Sequence, residues 1–111
     1  MGEIKTERKG VICLKFICEY REFDDIDHLP SVKENVSDIP HGNKGKILKH
    51  LKSGKSIFAT STPIVDIFTG KPANIELCTY TDGNFTWTSE EIYYFEKYNL
   101  KLNDEFINSV Q

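Results

Sequence analysis

At 111 residues, with 39% apolar and 28% charged side chains, the chain has the size and composition of one soluble globular domain. No run approaches the roughly 18 apolar residues of a membrane-spanning helix. The start, Met1-Gly2-Glu3-Ile4-Lys5-Thr6-Glu7-Arg8-Lys9, lacks the apolar centre of a signal peptide. The net charge of −3 is segregated: residues 19–40 hold seven acids and two bases, residues 41–55 five lysines and no acid, and residues 56–111 eight acids and three bases. An acidic body carrying one basic helix is not the uniformly basic face of a nucleic-acid binder.

In chain order, residues 1–9 are polar and read as frayed; Met1-Gly2 with Thr6 is a short, common look-alike of a myristoylation signal. Val11 to Tyr20 alternates Ile12, Leu14, Phe16, Cys18 and Tyr20 against a mixed set, which predicts a half-buried strand long enough to lie centrally in a sheet. Pro30 and Pro40 exclude a long helix through residues 21–42. Leu29, Val32, Val36 and Ile39 have the spacing of a short amphipathic helix, and Phe23 and Ile26 are placed to pin the loop before it. Lys44 to Ser53 is a helix capped by Asn43, with Ile47, Leu48 and Leu51 on one side, lysines on the other and Gly54 as a left-handed terminator.

Ser56 to Thr60 is a short strand that Thr60-Ser61-Thr62-Pro63 should break. Ile64 to Phe68 is an apolar run, left open between strand and buried loop, and Thr69-Gly70-Lys71-Pro72 ends it as a turn. Ile75 to Thr81 then forms one arm of a hairpin about Asp82-Gly83, read as a type I′ turn that sets Thr81 opposite Asn84, Tyr80 opposite Phe85 and Cys78 opposite Trp87. Thr88-Ser89-Glu90-Glu91 is a capping box opening a helix with Ile92 and Phe95 on one face, and Asn99 suits its C-terminus. This helix cannot bury both Tyr93 and Phe95 on one face, so some tyrosines belong at a partly exposed edge. A last short helix begins at Asn103-Asp104-Glu105 and docks by Phe106, Ile107 and Val110.

Signals for chemistry are sparse. Cys13, Cys18 and Cys78 cannot all pair and form no Cys-x-x-Cys, as in a reduced cytosolic protein. His28, His41 and His50 lack metal-ligand spacing, and Gly42-Asn43-Lys44-Gly45-Lys46 lacks the strand and hydroxyl of a phosphate loop. No catalytic residue, metal site or cofactor is therefore expected, and the chain does not read as an enzyme. The aromatic residues of 85–98 lie among Glu90, Glu91 and Glu96, which repel phosphate, so core packing or protein binding explains them better than base stacking.

The segment from about Ile47 to Val110 resembles a family of small bacterial immunity proteins that neutralise polymorphic or contact-dependent growth-inhibition toxins. The resemblance rests on Leu51-Lys52-Ser53-Gly54, a strand ending Ala59-Thr60, then Thr81-Asp82-Gly83, Trp87, Tyr93-Tyr94, Glu96-Lys97-Tyr98 and Leu102 with Glu105-Phe106-Ile107. Leu29-Pro30-Ser31-Val32 also looks like the family's upstream segment. Thr88 and Asn103 stand where relatives often carry proline, and a Thr or Asn cap does the same work at a helix start.

Together these readings predict one α+β domain over residues 1–111, an antiparallel or mixed sheet of four to five strands with three helices on it. The resemblance implies a cytoplasmic protein that occludes a cognate, basic toxin domain such as a nuclease, with no membrane partner. Asp24, Asp25 and Asp27 are the preferred toxin-facing group, joined by Glu90, Glu91 and Tyr94. The alternative is a nucleic-acid-binding or regulatory module using the basic helix 44–53.

Overall fold

The aromatic stretch at residues 80–98 lies at the centre of the fold. A computed structural model of the protein describes residues 14–24 and 26–110. It contains β1 (Lys15–Phe16), α1 (Arg21–Asp24), α2 (Lys44–Lys52), β2 (Lys55–Val65), β3 (Pro72–Thr81), β4 (Phe85–Thr88), α3 (Ser89–Tyr98) and α4 (Asp104–Val110), with a 3-10 turn at Val32–Glu34. The four strands form one mixed sheet in the order β1-β4-β3-β2, and the helices join it in a single α+β globule.

Helix α3 begins as its sequence dictates. The Thr88 hydroxyl accepts from the Glu91 N–H, and the Glu91 carboxylate accepts from the Thr88 N–H, which completes the capping box. It ends at Asn99, held in the left-handed region at φ 57°, with the Leu100 N–H reaching back to the Tyr94 carbonyl. Tyr94, Phe95 and Ile92 are buried, while Tyr93 and Tyr98 form the partly exposed edge. Helices α2 and α4 flank the same sheet face. Trp87 is 1% exposed, donates from Nε1 to the Leu51 carbonyl at 3.1 Å and meets the Phe106 ring. Phe85 also packs edge-on against Phe106.

The hairpin forms where expected, two residues out of the expected register. Thr81 pairs with Thr86, Tyr80 with Trp87 and Thr79 with Thr88. The Asp82 carboxylate accepts from the Asn84 and Phe85 N–H groups, so residues 82–85 make a longer loop instead of a two-residue type I′ turn. Gly83 does take positive φ, at 100°, but Asp82 does not. A slip of two residues keeps every side chain on its intended face.

Three other expectations are corrected. Among the described residues β1 is two residues long and lies at a sheet edge, paired parallel to β4; Val11 to Cys13 lie outside them. The chain leaves the sheet because Asn103 captures it: its N–H binds the Ile17 carbonyl and its Nδ2 the Phe16 carbonyl. Ile17 and Cys18 are then both buried, which a strand with one covered face would not allow. Pro63 does not break β2, because β2 is the far edge strand, where proline needs no ladder partner. The chain accommodates it by irregular pairing with β3: Ala59 pairs with Cys78 and Pro63 with Glu76. Gly54 is not a left-handed terminator, since it has no positive φ; a Cβ there would lie 2.6 Å from Trp87 Cζ2.

Candidate protein-binding surface

The pleat separates two kinds of side chain. Tyr80, Phe85 and Trp87 point toward α2 and α4, and the alternate residues Thr79, Thr81, Thr86 and Thr88 stand on the opposite face. Phe58 pairs with Thr79 and Phe16 with Thr86, which puts an aromatic residue on each flank of these threonines; the two phenylalanines are 64% and 52% exposed. Single exposed apolar residues are ordinary, but here two flank one sheet face.

Where this face meets α1 and the first turn of α3, it deepens into a groove of about 210 Å³. Thr79, Thr86 and Thr88 form its floor, and Phe16, Phe23 and Leu77 its apolar walls. Glu90 and Glu91 supply the acidic wall. Their environments differ sharply. Glu91 is buried and fully engaged: Oε1 accepts from the Thr88 N–H at 2.8 Å, and Oε2 accepts from Cys18 Sγ at 3.0 Å. Glu90 makes no hydrogen bond or ion pair among the described residues, and burial alone pushes its carboxyl above the ordinary glutamate value.

The sequence candidates separate accordingly. Glu90 lines the groove. Glu91 is a capping residue whose carboxylate is spent on the fold. Tyr94 is fully buried; its hydroxyl donates to the Val65 carbonyl and accepts from the Ile67 N–H at 2.9 Å, so it offers no surface to a partner. Asp27 is exposed. Asp24 closes α1 directly after the groove residue Phe23; its side chain, and Asp25 altogether, lie outside the described part. Of residues 19–40, Phe23 is the one that lines the groove among the described residues. Within the same segment, Glu22 has a structural task, accepting from the Ser31 hydroxyl and from the Val32 N–H at 2.8 Å. Burial opposes that carboxylate's charge, and the two donors outweigh it and lower its pKa. The predicted helix between the prolines is only the 3-10 turn, with Val32 buried and Ile39 79% exposed.

Sequence reasoning missed the threonine floor, although the alternation of Thr79 and Thr81 around Tyr80, and of Thr86 and Thr88 around Trp87, marks a sheet with one covered face. It also missed Asp66. This carboxylate is 1% exposed and accepts from the Tyr93 and Tyr98 hydroxyls, each at 2.6 Å, and from the Phe68 N–H at 2.7 Å. Burial opposes its ionisation, but these donors and the Thr69 N–H prevail and hold it at about 2. The arrangement fastens the β2–β3 turn to α3, and burial raises Tyr94 to about 12 beside it.

The basic helix is partly committed to the fold. Lys44 Nζ donates to Asn99 Oδ1 and to the Glu96 carbonyl, and Lys52 pairs with Glu96 at 3.1 Å. His50 meets Asp82 at 2.7 Å. Among the described residues no group of three His, Cys, Asp or Glu side chains is placed to hold a metal ion. No helix there is long and apolar enough to cross a membrane. No protein-family model, curated protein or solved structure matches the chain.

Proposed function

We propose that the protein is a non-catalytic immunity protein that binds and neutralises a cognate antibacterial toxin in the producing cell's cytoplasm by stoichiometric occlusion. The observation that carries this reading is the open sheet face: a groove with apolar walls and an acidic wall. Interfaces combine desolvated apolar anchors with a polar rim, and this face supplies both. The resemblance in residues 47–110 supports the same class. An acidic binding face suits a basic toxin, of which a nuclease is the natural case, because an active site that holds phosphates attracts carboxylates.

The test is co-expression with the product of a neighbouring toxin frame, followed by co-purification and a growth-protection assay. Reversing Asp24, Asp25 and Asp27 to lysine is expected to leave the fold intact and weaken protection at least about tenfold, roughly 1.4 kcal/mol. The loss should appear in the association rate and its salt dependence. Unchanged association kinetics at two salt concentrations would remove the acidic segment from the interface. Binding to random DNA or RNA that weakens steeply with salt would replace this reading with a nucleic-acid one.

A further inference from the structure

Among the described residues, the Glu90 carboxylate is the acidic group of the groove that the fold does not use. Glu91, beside it, is consumed by the Thr88 N–H and the Cys18 thiol, and the Thr88 hydroxyl by the Glu91 N–H. The Thr86 hydroxyl donates to the Tyr80 carbonyl at 2.9 Å. Glu90 is partly buried and without a partner among the described residues. A volume of about 210 Å³ lies below the range of small-molecule sites and suits a single long side chain. Its walls combine aromatic and aliphatic surface with one negative charge. That pairing matches a side chain with an apolar stem and a cationic, fork-shaped head.

We propose that the groove takes one arginine side chain of the bound protein, its stem lying on Phe23 and Leu77 and its guanidinium donating to the Glu90 carboxylate. This rests on the toxin-binding reading and deepens it by naming the anchor the partner must present. An arginine buried in a fitted pocket and paired with a carboxylate belongs to the class of contacts that dominate interface energies. Of the threonine floor, the Thr79 hydroxyl makes no hydrogen bond among the described residues and is the one left for the guest.

Two independent measurements test it. In the first, backbone amide resonances of the full chain are followed while N-acetyl-arginine amide is added at millimolar concentrations. N-acetyl-citrulline amide, its neutral isostere, serves as control. Shifts confined to Leu77, Thr79, Thr88 and Glu90, at least about tenfold weaker for citrulline and for arginine on Glu90→Gln, are expected. The proposal is overturned by equal shifts from both compounds, by shifts that survive Glu90→Gln, or by none at these amides. In the second, Glu90→Gln is compared with the parent for protection against the toxin; at least a tenfold loss is expected, and undiminished protection overturns the groove as the anchor site. Failure of the immunity reading itself looks different: the parent chain gives no protection at all, whatever the first measurement shows.

Discussion

Replacing Gly54 by alanine separates two reasons why a glycine follows α2. One is conformational, a left-handed helix terminator. The other is steric, close approach of Trp87. The backbone at Gly54 has no positive φ, so the first reason is absent. An added Cβ would lie 2.6 Å from Trp87 Cζ2 and 3.2 Å from Tyr80 Cβ. The ring cannot retreat cheaply, because it is 1% exposed, tied to the Leu51 carbonyl and backed by Phe106. Overpacking of this kind costs about 1–3 kcal/mol. Alanine also restricts the unfolded chain, which offsets about 0.4–1 kcal/mol. A net loss of about 1–2 kcal/mol is expected in urea unfolding, with Tm falling by roughly 4–8 °C for each kcal/mol.

Two further variants make the reasoning refutable. Gly54→Asn should be worse than Gly54→Ala, since a larger side chain starts from the same obstructed Cβ; at a left-handed terminator asparagine would be the better tolerated of the two. In a Trp87→Phe background, where the offending ring atoms are gone, Gly54→Ala should cost far less, a coupling that a double-mutant cycle reads directly. An alanine variant as stable as the parent, or an asparagine variant more stable than the alanine one, would refute the steric account.

Two other stability predictions follow from the turns. Asp66→Asn removes the ionised acceptor of the Tyr93 and Tyr98 hydroxyls. Because the folded carboxyl lies at about 2 against an ordinary 3.8, its charge contributes stability that is complete above pH 3.8 and lost as pH falls through about 2. The parent should exceed the variant by at most about 2 kcal/mol at neutral pH, with the difference shrinking between about pH 4 and 2; a difference that does not shrink would mean the charge is not the source. Gly83→Val should cost more than about 1 kcal/mol through backbone strain alone, since φ is 100° and nothing lies within 4 Å of an added Cβ. An unchanged Tm would contradict that geometry.

What was legible in the sequence is local. Capping by Thr88 and Glu91, the left-handed Asn99, the span of α2 and the start of α4 depend on residues within a turn or two of one another, and each forms where its sequence signal lies. What failed depends on distant partners. The alternation from Val11 to Tyr20 reads as one strand, but Asn103 binds the Phe16 and Ile17 carbonyls and turns the chain inward. Asp82-Gly83 signals a hairpin, but the Asp82 carboxylate collects two backbone N–H groups and lengthens the loop. Proline at position 63 reads as a break only if β2 is assumed to be flanked on both sides. The groove is less legible still, because Phe16, Phe23, Leu77 and Glu90 come from four separate segments that only the fold assembles. Even so, the capping box marks Glu91 as already spent, which leaves Glu90 as the carboxylate available to a partner.

That difference between neighbouring glutamates has an energetic meaning. Both sit in the first turn of α3, where the helix dipole favours an acid by a few tenths of a kcal/mol at an exposed site. The dipole accounts for a negative charge there, but not for a half-buried carboxylate that bonds nothing among the described residues. Partial burial without a partner is a cost that folding gives no reason to bear, and residues of this kind are candidates for function. Glu90→Gln should therefore leave stability unchanged or raise it slightly, whereas Glu91→Gln should lower it by weakening the cap and the Cys18 contact. The two substitutions are adjacent and chemically identical, so any loss of partner binding confined to Glu90→Gln cannot be assigned to a damaged helix.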